Sequence, residues 1–306
     1  MQIVRLVAGE LRAEIAPEIG GSITAFWTEA GRHHRTHWLR PASEAALEIR
    51  DPLGMASFPL VPFCNRIRDG RASFEGREIR FPPNHPSQRS PHPLHGLGWQ
   101  REWVVDNQNR HAVDLSLQME ATDAWPWRFL AQQRIELDEL SLRVSVSVTN
   151  QDSVDMPAGL GHHPYFLHPP GTRLTCPTAG MWTTDAEVMP VDLSRDGIVE
   201  RLRQGVIVGD LDLDNNFVGW EHSARIDWPA AGDDRVRSLI IRAEAPLDYF
   251  VIYCPPGLDH FCAEPVSQCT DWLNLLPRHD AALLGGARVG PGDRYTASFS
   301  LLPSLT

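Results

Sequence analysis

The stretch AVDLSLQME, residues 112–120, decides the fold. Val113, Leu115, Leu117 and Met119 occupy every second position, with polar residues between them. Side chains alternate across a strand, so this period places all four on one face, as in a half-buried antiparallel strand. LSLRVSVSV (140–148) repeats the pattern with Leu140, Leu142, Val144, Val146 and Val148. The end of the chain repeats it with Tyr295, Ala297, Phe299 and Leu301. Turn signals punctuate these runs. Glu75 and Gly76 separate RASF from REIRF, residues 106–109 precede the 112–120 run, and Asp138 with Glu139 joins 132–137 to 140–148. Each predicts a hairpin. Helical periodicity is confined to 43–50, where Ser43 is placed to cap SEAALEIR. Most of the 25 prolines and 23 glycines fall between apolar runs, as an all-β fold with many corners requires. No linker, low-complexity stretch or repeat interrupts the chain. The expectation is a single domain over 1–306, a large antiparallel β-sandwich whose topology the pattern leaves open.

Composition removes several function classes. With 42% hydrophobic residues, 306 positions supply an ample core. A net charge of −11 argues against nucleic-acid backbones, which need concentrated positive charge, and favours a neutral small substrate. All 28 basic residues are arginine. Schiff-base aldolases, pyridoxal-phosphate enzymes and P-loop nucleotidases each need a lysine, so those chemistries are excluded. No apolar run approaches the length of a membrane-spanning helix. The opening MQIVRLVAGE lacks a basic start followed by an apolar core, so no secretory leader is expected. The five cysteines are scattered without a C-x-x-C pair, which predicts reduced thiols and a cytoplasmic protein. Cys254, Cys262 and Cys269 with His260 match no standard zinc spacing.

Four polar islands break the strand pattern, and chemistry is sought there. PFCNRIRDGR (62–71) sets Asn65 and Arg66 between Phe63 and Ile67, either as a solvated hairpin or as donors aimed inward. HPLHGLGW (92–99) follows His95 with Gly96 and Gly98, so a tight bend can leave the imidazole in a cleft or in solvent. GHHPYF (161–166) carries two adjacent histidines. Neighbours in a strand point to opposite faces, so one faces a cleft and the other packs, and the two do not readily share a metal. In DHFCAEPVSQCTDWLN (259–274), Glu264 sits among apolar neighbours. Burial raises a carboxyl pKa towards neutrality, as a general base requires, although a turn cap before Pro265 is the competing reading. Asp214 in LDLDNNF is a further acid among several loop aspartates. HHRTH (33–37) reads as a solvated surface loop rather than a metal site.

Taken in order, NRI (65–67), GR (70–71), LHG (94–96), HPYF (163–166), DNNF (214–217) and AEP (263–265) with the following DWLN resemble the aldose 1-epimerase (galactose mutarotase) family. The resemblance runs from about residue 15 to the C-terminus. It implies a β-supersandwich with a shallow sugar cleft on its concave face. It also implies interconversion of the α and β anomers of a free aldose such as galactose or glucose, without cofactor or metal. By the same match Glu264 is the catalytic base and His163 the general acid. His95, Asp214, Asn65 and Arg66 then bind the sugar hydroxyls and ring-oxygen region. Trp99, directly after the glycine-rich turn, is expected to stack on the sugar. Two departures bear on sugar preference: His162 stands where asparagine is common, and HGLGW replaces HGG. The rivals are a hexose-6-phosphate mutarotase using Arg66, Arg68 and Arg71, a non-catalytic carbohydrate-binding protein, and a zinc hydrolase built on the histidines. A monomer is the default expectation.

Overall fold

Four long alternating runs pair side by side. Ala112–Met119, Phe129–Leu137, Leu142–Asn150 and Arg294–Leu305 lie antiparallel, with Ile135 opposite Val113 and Val144, and Val144 opposite Phe299. In this computed structural model, which describes residues 1–30, 34–85, 90–230 and 236–305, these strands belong to a nine-stranded sheet. Its order is Val206–Ile207, Arg173–Thr175, Ser223–Trp228, Arg237–Ala243, Arg294–Leu305, Leu142–Asn150, Phe129–Leu137, Ala112–Met119 and Val104–Gln108. Its inward Val113, Ile135 and Val144 are fully buried, and each such side chain contributes about 1.5–3 kcal/mol of transfer free energy.

A second sheet packs on that inner face. It runs Pro190–Ser194, Gly180–Thr184, Leu213–Val218, Tyr249–Cys254, His260–Val266, Gly161–His162 and Pro59–Leu60, and Tyr165–Leu167 also pairs with His260–Val266. The His162 ring lies 5.6 Å from Phe299 across the sandwich. One apolar core joins residues of both sheets to the flanking four-stranded sheet of Val4–Ala8, Leu11–Ala16, Ser22–Ala30 and His34–His37. The architecture is an all-β antiparallel supersandwich.

The strand His260–Val266 shows how this fold makes a site. Phe261 and Ala263 point into the core, so by alternation His260, Cys262 and Glu264 face the other way. Register carries the row sideways: Asp214, Tyr253, Cys262 and Tyr165 sit opposite one another on four adjacent strands. That row floors a cleft on the sheet's outer face.

The cap at Ser43 and the turn at Glu75 form as the sequence predicts. Ser43 accepts from the Ala46 amide at the start of the helix Glu44–Glu48, and Glu75 with Gly76 turns Arg71–Phe74 into Arg77–Arg80 through positive φ at both residues. The expected turn at 106–109 falls later. Residues 106–108 belong to the strand Val104–Gln108, and Asn109 Oδ1 accepts the amides of His111 and Ala112. Leu140 is not on the buried face. It is 76% exposed in a turn held by Asp138 Oδ1, which accepts from the Leu140 and Ser141 amides. The expected surface loop at 33–37 is instead mostly the strand His34–His37, with Thr36 buried. His33 of that stretch lies outside the described residues.

Candidate active site

The cleft occupies about 240 Å³. That is below the roughly 300–1,000 Å³ of pockets for drug-sized ligands, and it suits one small ring rather than an oligosaccharide. All six residues singled out from the sequence line it: Asn65, Arg66, His95, His163, Asp214 and Glu264.

Glu264 is 2% exposed inside its strand, so it caps no turn before Pro265, which is itself a strand residue. Burial pushes its carboxyl well above the usual range. The Asp214 charge pushes the same way and the Arg66 guanidinium opposes. Oε1 lies 3.3 Å from His163 Nε2, while Oε2 has no hydrogen-bond partner. His163 follows the short strand Gly161–His162, with its amide donating to Phe58 O. Its ring packs against Phe58 and Tyr165, both at 4.7 Å between centroids. Burial, aided by the cations Arg40 and Arg66, lowers its pKa to about 3. A buried carboxyl that resists losing its proton therefore faces an imidazole that resists gaining one. Buried polar atoms are seldom orphaned, and Glu264 Oε2 and His163 Nδ1 both are, on the cleft.

His95 and Asn65 hold each other. His95 N donates to Asn65 O at 2.8 Å, and Asn65 N donates to His95 Nδ1 at 3.2 Å. Because Nδ1 accepts, the proton of the neutral ring resides on Nε2, which becomes a donor. Burial holds this ring well below its ordinary pKa, with His163 and Arg66 adding to the shift. Both residues have left-handed backbone, φ 58° at Asn65 and 59° at His95, a conformation tolerated best by Asn and His among non-glycine residues. Arg66 Nη1 and Nη2 reach Asp214 Oδ1 and Oδ2 at 3.4 and 2.9 Å, and Nη1 also reaches Asn65 Oδ1 at 3.1 Å. The arginine and aspartate thus form a forked pair with little net charge. Asp214 lies in the strand Leu213–Val218, not in a loop.

The two histidines of GHHPYF diverge as expected. His163 lines the cleft, and His162 turns into the core, where Nδ1 bonds Ser57 Oγ and Nε2 bonds Gln133 Oε1 at 2.8 Å. Trp99 does not face a ligand. It is fully buried, stacks on Phe58 at 5.5 Å and donates to Leu94 O, because the turn folds the indole under the cleft wall. Arg68 ion-pairs with Asp185 and Glu187, and neither Arg68 nor Arg71 lines the cleft. Arg40, Tyr165, Tyr253 and His260 do line it and had drawn no binding role from the sequence. The two tyrosines reach the cleft through the register that sets both opposite Cys262, which the sequence pattern alone does not fix.

Metal-donor atoms converge at one place among the described residues, on His163, Cys262 and Glu264, all within 4.8 Å of one another. This differs from the grouping of three cysteines with His260 weighed from the sequence. Burial and the Glu264 charge push the Cys262 thiol well up, so without a metal it stays protonated. All five cysteines are buried and unpaired.

Comparison with known proteins follows the same lines. The sequence profile described as aldose 1-epimerase matches residues 2–302. Escherichia coli K12 YphB, an uncharacterised protein, is 29% identical over 316 residues, covering 98% of each chain. The crystal structure of a candidate aldose 1-epimerase from Escherichia coli K12 superposes with a TM-score of 0.85 at 26% identity, covering 100% of this chain and 99% of that one. A galactose mutarotase-like protein from Clostridium acetobutylicum gives a TM-score of 0.82 at 19% identity over 99% and 95%, a likeness of fold. With the profile spanning nearly its whole length, the chain belongs to the aldose 1-epimerase family.

Proposed function

We propose that this protein is a mutarotase, interconverting the anomers of a free aldose by acid/base ring opening and closure. The observation that carries the reading is the Glu264–His163 pair. The two groups are 3.3 Å apart on a cleft, they are shifted in opposite directions by burial, and each has an unpartnered atom. Ring opening needs Glu264 as carboxylate to take the proton of the anomeric hydroxyl. The C1–O5 bond then breaks as C1=O1 forms, and His163 as imidazolium gives its proton to O5. Rotation about C1–C2 presents the other face of the aldehyde, O5 re-adds to C1, and the protons return.

Before opening, Glu264 is ionised and His163 protonated. Afterwards Glu264 is protonated and His163 neutral. Both states hold one proton between the pair, so the cycle needs no net proton from solvent. Burial favours the uncharged distribution. The Arg66 guanidinium favours the ionised carboxylate and opposes the imidazolium. His95 Nε2–H and the Arg66–Asp214 fork are assigned to the sugar oxygens. A carbohydrate-binding protein has no use for such a pair, and the neutralised Arg66 and Arg68 argue against a phosphorylated substrate.

Optical rotation of freshly dissolved single anomers tests this. Glu264→Gln and His163→Asn are each expected to lower the rate at least ~100-fold while far-UV circular dichroism stays native, since a positioned acid or base contributes roughly 10²–10⁴-fold. Either variant turning over near the wild-type rate would remove the role given to that residue.

A further inference from the structure

The cleft contains a cation that no acid answers. Of the two arginines lining it, Arg66 is neutralised by Asp214, whereas Arg40 has no carboxylate within 4.0 Å among the described residues. Its guanidinium carbon lies 3.9 Å over the Tyr165 ring, and Nη2 donates to Leu53 O and Met55 O at 2.7 and 3.0 Å. Those two carbonyls use both Nη2 hydrogens. Three of the five N–H donors, on Nε and Nη1, have no hydrogen-bond partner among the described residues, and neither nitrogen is a fully buried orphan, so this side chain on the cleft wall keeps donors in reach of solvent. Asp259 feels the Arg40 charge only as the smallest of the influences on it. Its carboxylate is 83% exposed and already bound to His260 Nδ1 at 2.8 Å. Fixing the 53–55 segment needs only Nη2. An aldose without charge gives the remaining N–H groups nothing that a neutral donor would not serve as well.

Position adds the rest. Tyr165, beneath Arg40, sits opposite Cys262, two residues before Glu264 on the neighbouring strand, and its ring packs on His163 at 4.7 Å between centroids, so the Arg40 guanidinium carbon lies within about 9 Å of the His163 ring centre. A pyranose whose anomeric centre meets Glu264 and His163 therefore spans to Arg40 with a substituent on the same ring. From this geometry we infer that Arg40 recognises one negative charge on the sugar, so that the substrate class is a monoanionic aldose, a hexuronate, rather than a neutral hexose. One unanswered guanidinium matches one carboxylate, and the remaining cation of the cleft is already spoken for by Asp214, so a phosphate dianion is poorly matched. This inference rests on the mutarotase reading for its chemistry and on Arg40 for its selectivity.

The test follows optical rotation of single anomers of galacturonate, galactose and glucose 6-phosphate, with wild type, Arg40→Met and Arg40→Lys. A charge-assisted hydrogen bond corresponds to about ten- to a hundredfold, which is the expected preference in kcat/KM for galacturonate over galactose. Arg40→Met is expected to collapse that ratio towards one. Arg40→Lys, which keeps the charge, is expected to retain part of it, and added salt is expected to depress the galacturonate rate selectively. Equal turnover of galactose, an unchanged ratio in Arg40→Met, or a preference for the phosphate overturns the inference. Isothermal titration of galacturonate and galactose separates the two layers. Uronate-selective binding without turnover of any sugar sustains the Arg40 assignment and removes the mutarotase reading, whereas turnover of sugars with no selective binding of uronate does the reverse.

Discussion

Gln133 Nε2 donates to Gly21 O at 2.8 Å, which turns its Oε1 towards His162. The imidazole must therefore carry its proton on Nε2, and Nδ1 accepts from the Ser57 hydroxyl. Four groups from four segments close a buried chain directly behind His163, and burial drives the His162 pKa down to about 3, so the ring stays neutral throughout. The adjacent His163 inherits its backbone position from this anchor. Replacing Gln133 by Leu orphans His162 Nε2 and Gly21 O together, and an unsatisfied buried group costs about 1–3 kcal/mol. Urea denaturation of Gln133→Leu is expected to show a loss of about 2–5 kcal/mol. A loss below about 0.5 kcal/mol would mean that the chain is not closed in solution.

At the scale of elements, the turn carrying His95 depends on one glycine. Gly96 has φ 68°, and a Cβ there would lie 2.3 Å from Val61 O, a backbone atom that cannot swing aside. Gly96→Ala is expected to shift residues 94–96 out of register with Asn65, raising KM for sugar about tenfold or more and lowering the melting temperature. A variant with wild-type KM would show that His95 is not held through this turn. The strands themselves were legible because a period of two is local: Val113 to Met119 announce their own face. Glu264 and His163 were legible as polar residues in apolar settings. The Asn65–His95 clamp was not, because it joins segments 30 residues apart, and three of its four groups are backbone atoms that every sequence possesses. Arg40 escaped for a related reason, since its importance lies in the absence of a carboxylate beside it. Trp99 and Leu140 misled in opposite directions: a tight turn buried the indole, and the Asp138 turn ended the strand before Leu140 could join it.

Over the whole molecule, burial of ionisable groups makes stability depend on acid. His95, His162 and His163 are held neutral, two with pKa about 3 and His95 well below its ordinary 6.5. Unfolded, each takes a proton near pH 6.5. Their stabilising effect is therefore complete above pH 6.5 and is lost as pH falls from there towards 3. Glu264 works the other way. Its folded pKa is raised well above 4.5, so between those values the folded chain holds a proton that the unfolded chain lacks. In the window from 6.5 to 4.5 the unfolded state gains protons on His162 and His163, whose folded pKa is about 3, and on His95, while the raised carboxyl of Glu264 offsets at most one of them, a net difference of about two. At about 1.4 kcal/mol per proton per pH unit, stability is expected to fall by about 2–3 kcal/mol for each unit below 6.5. His37 and His260, partly buried, steepen this, and Asp271, raised by burial, softens it. For a stability near the low end of the usual range, about 5 kcal/mol, such a slope brings unfolding to about pH 4–5. Urea denaturation at half-unit intervals from pH 7.5 to 4.5 measures the slope. Gln in place of Glu264 should steepen it by about one proton's worth, since the compensating carboxyl is gone, and a profile flat down to pH 5 would show that the three imidazoles accept protons while still folded.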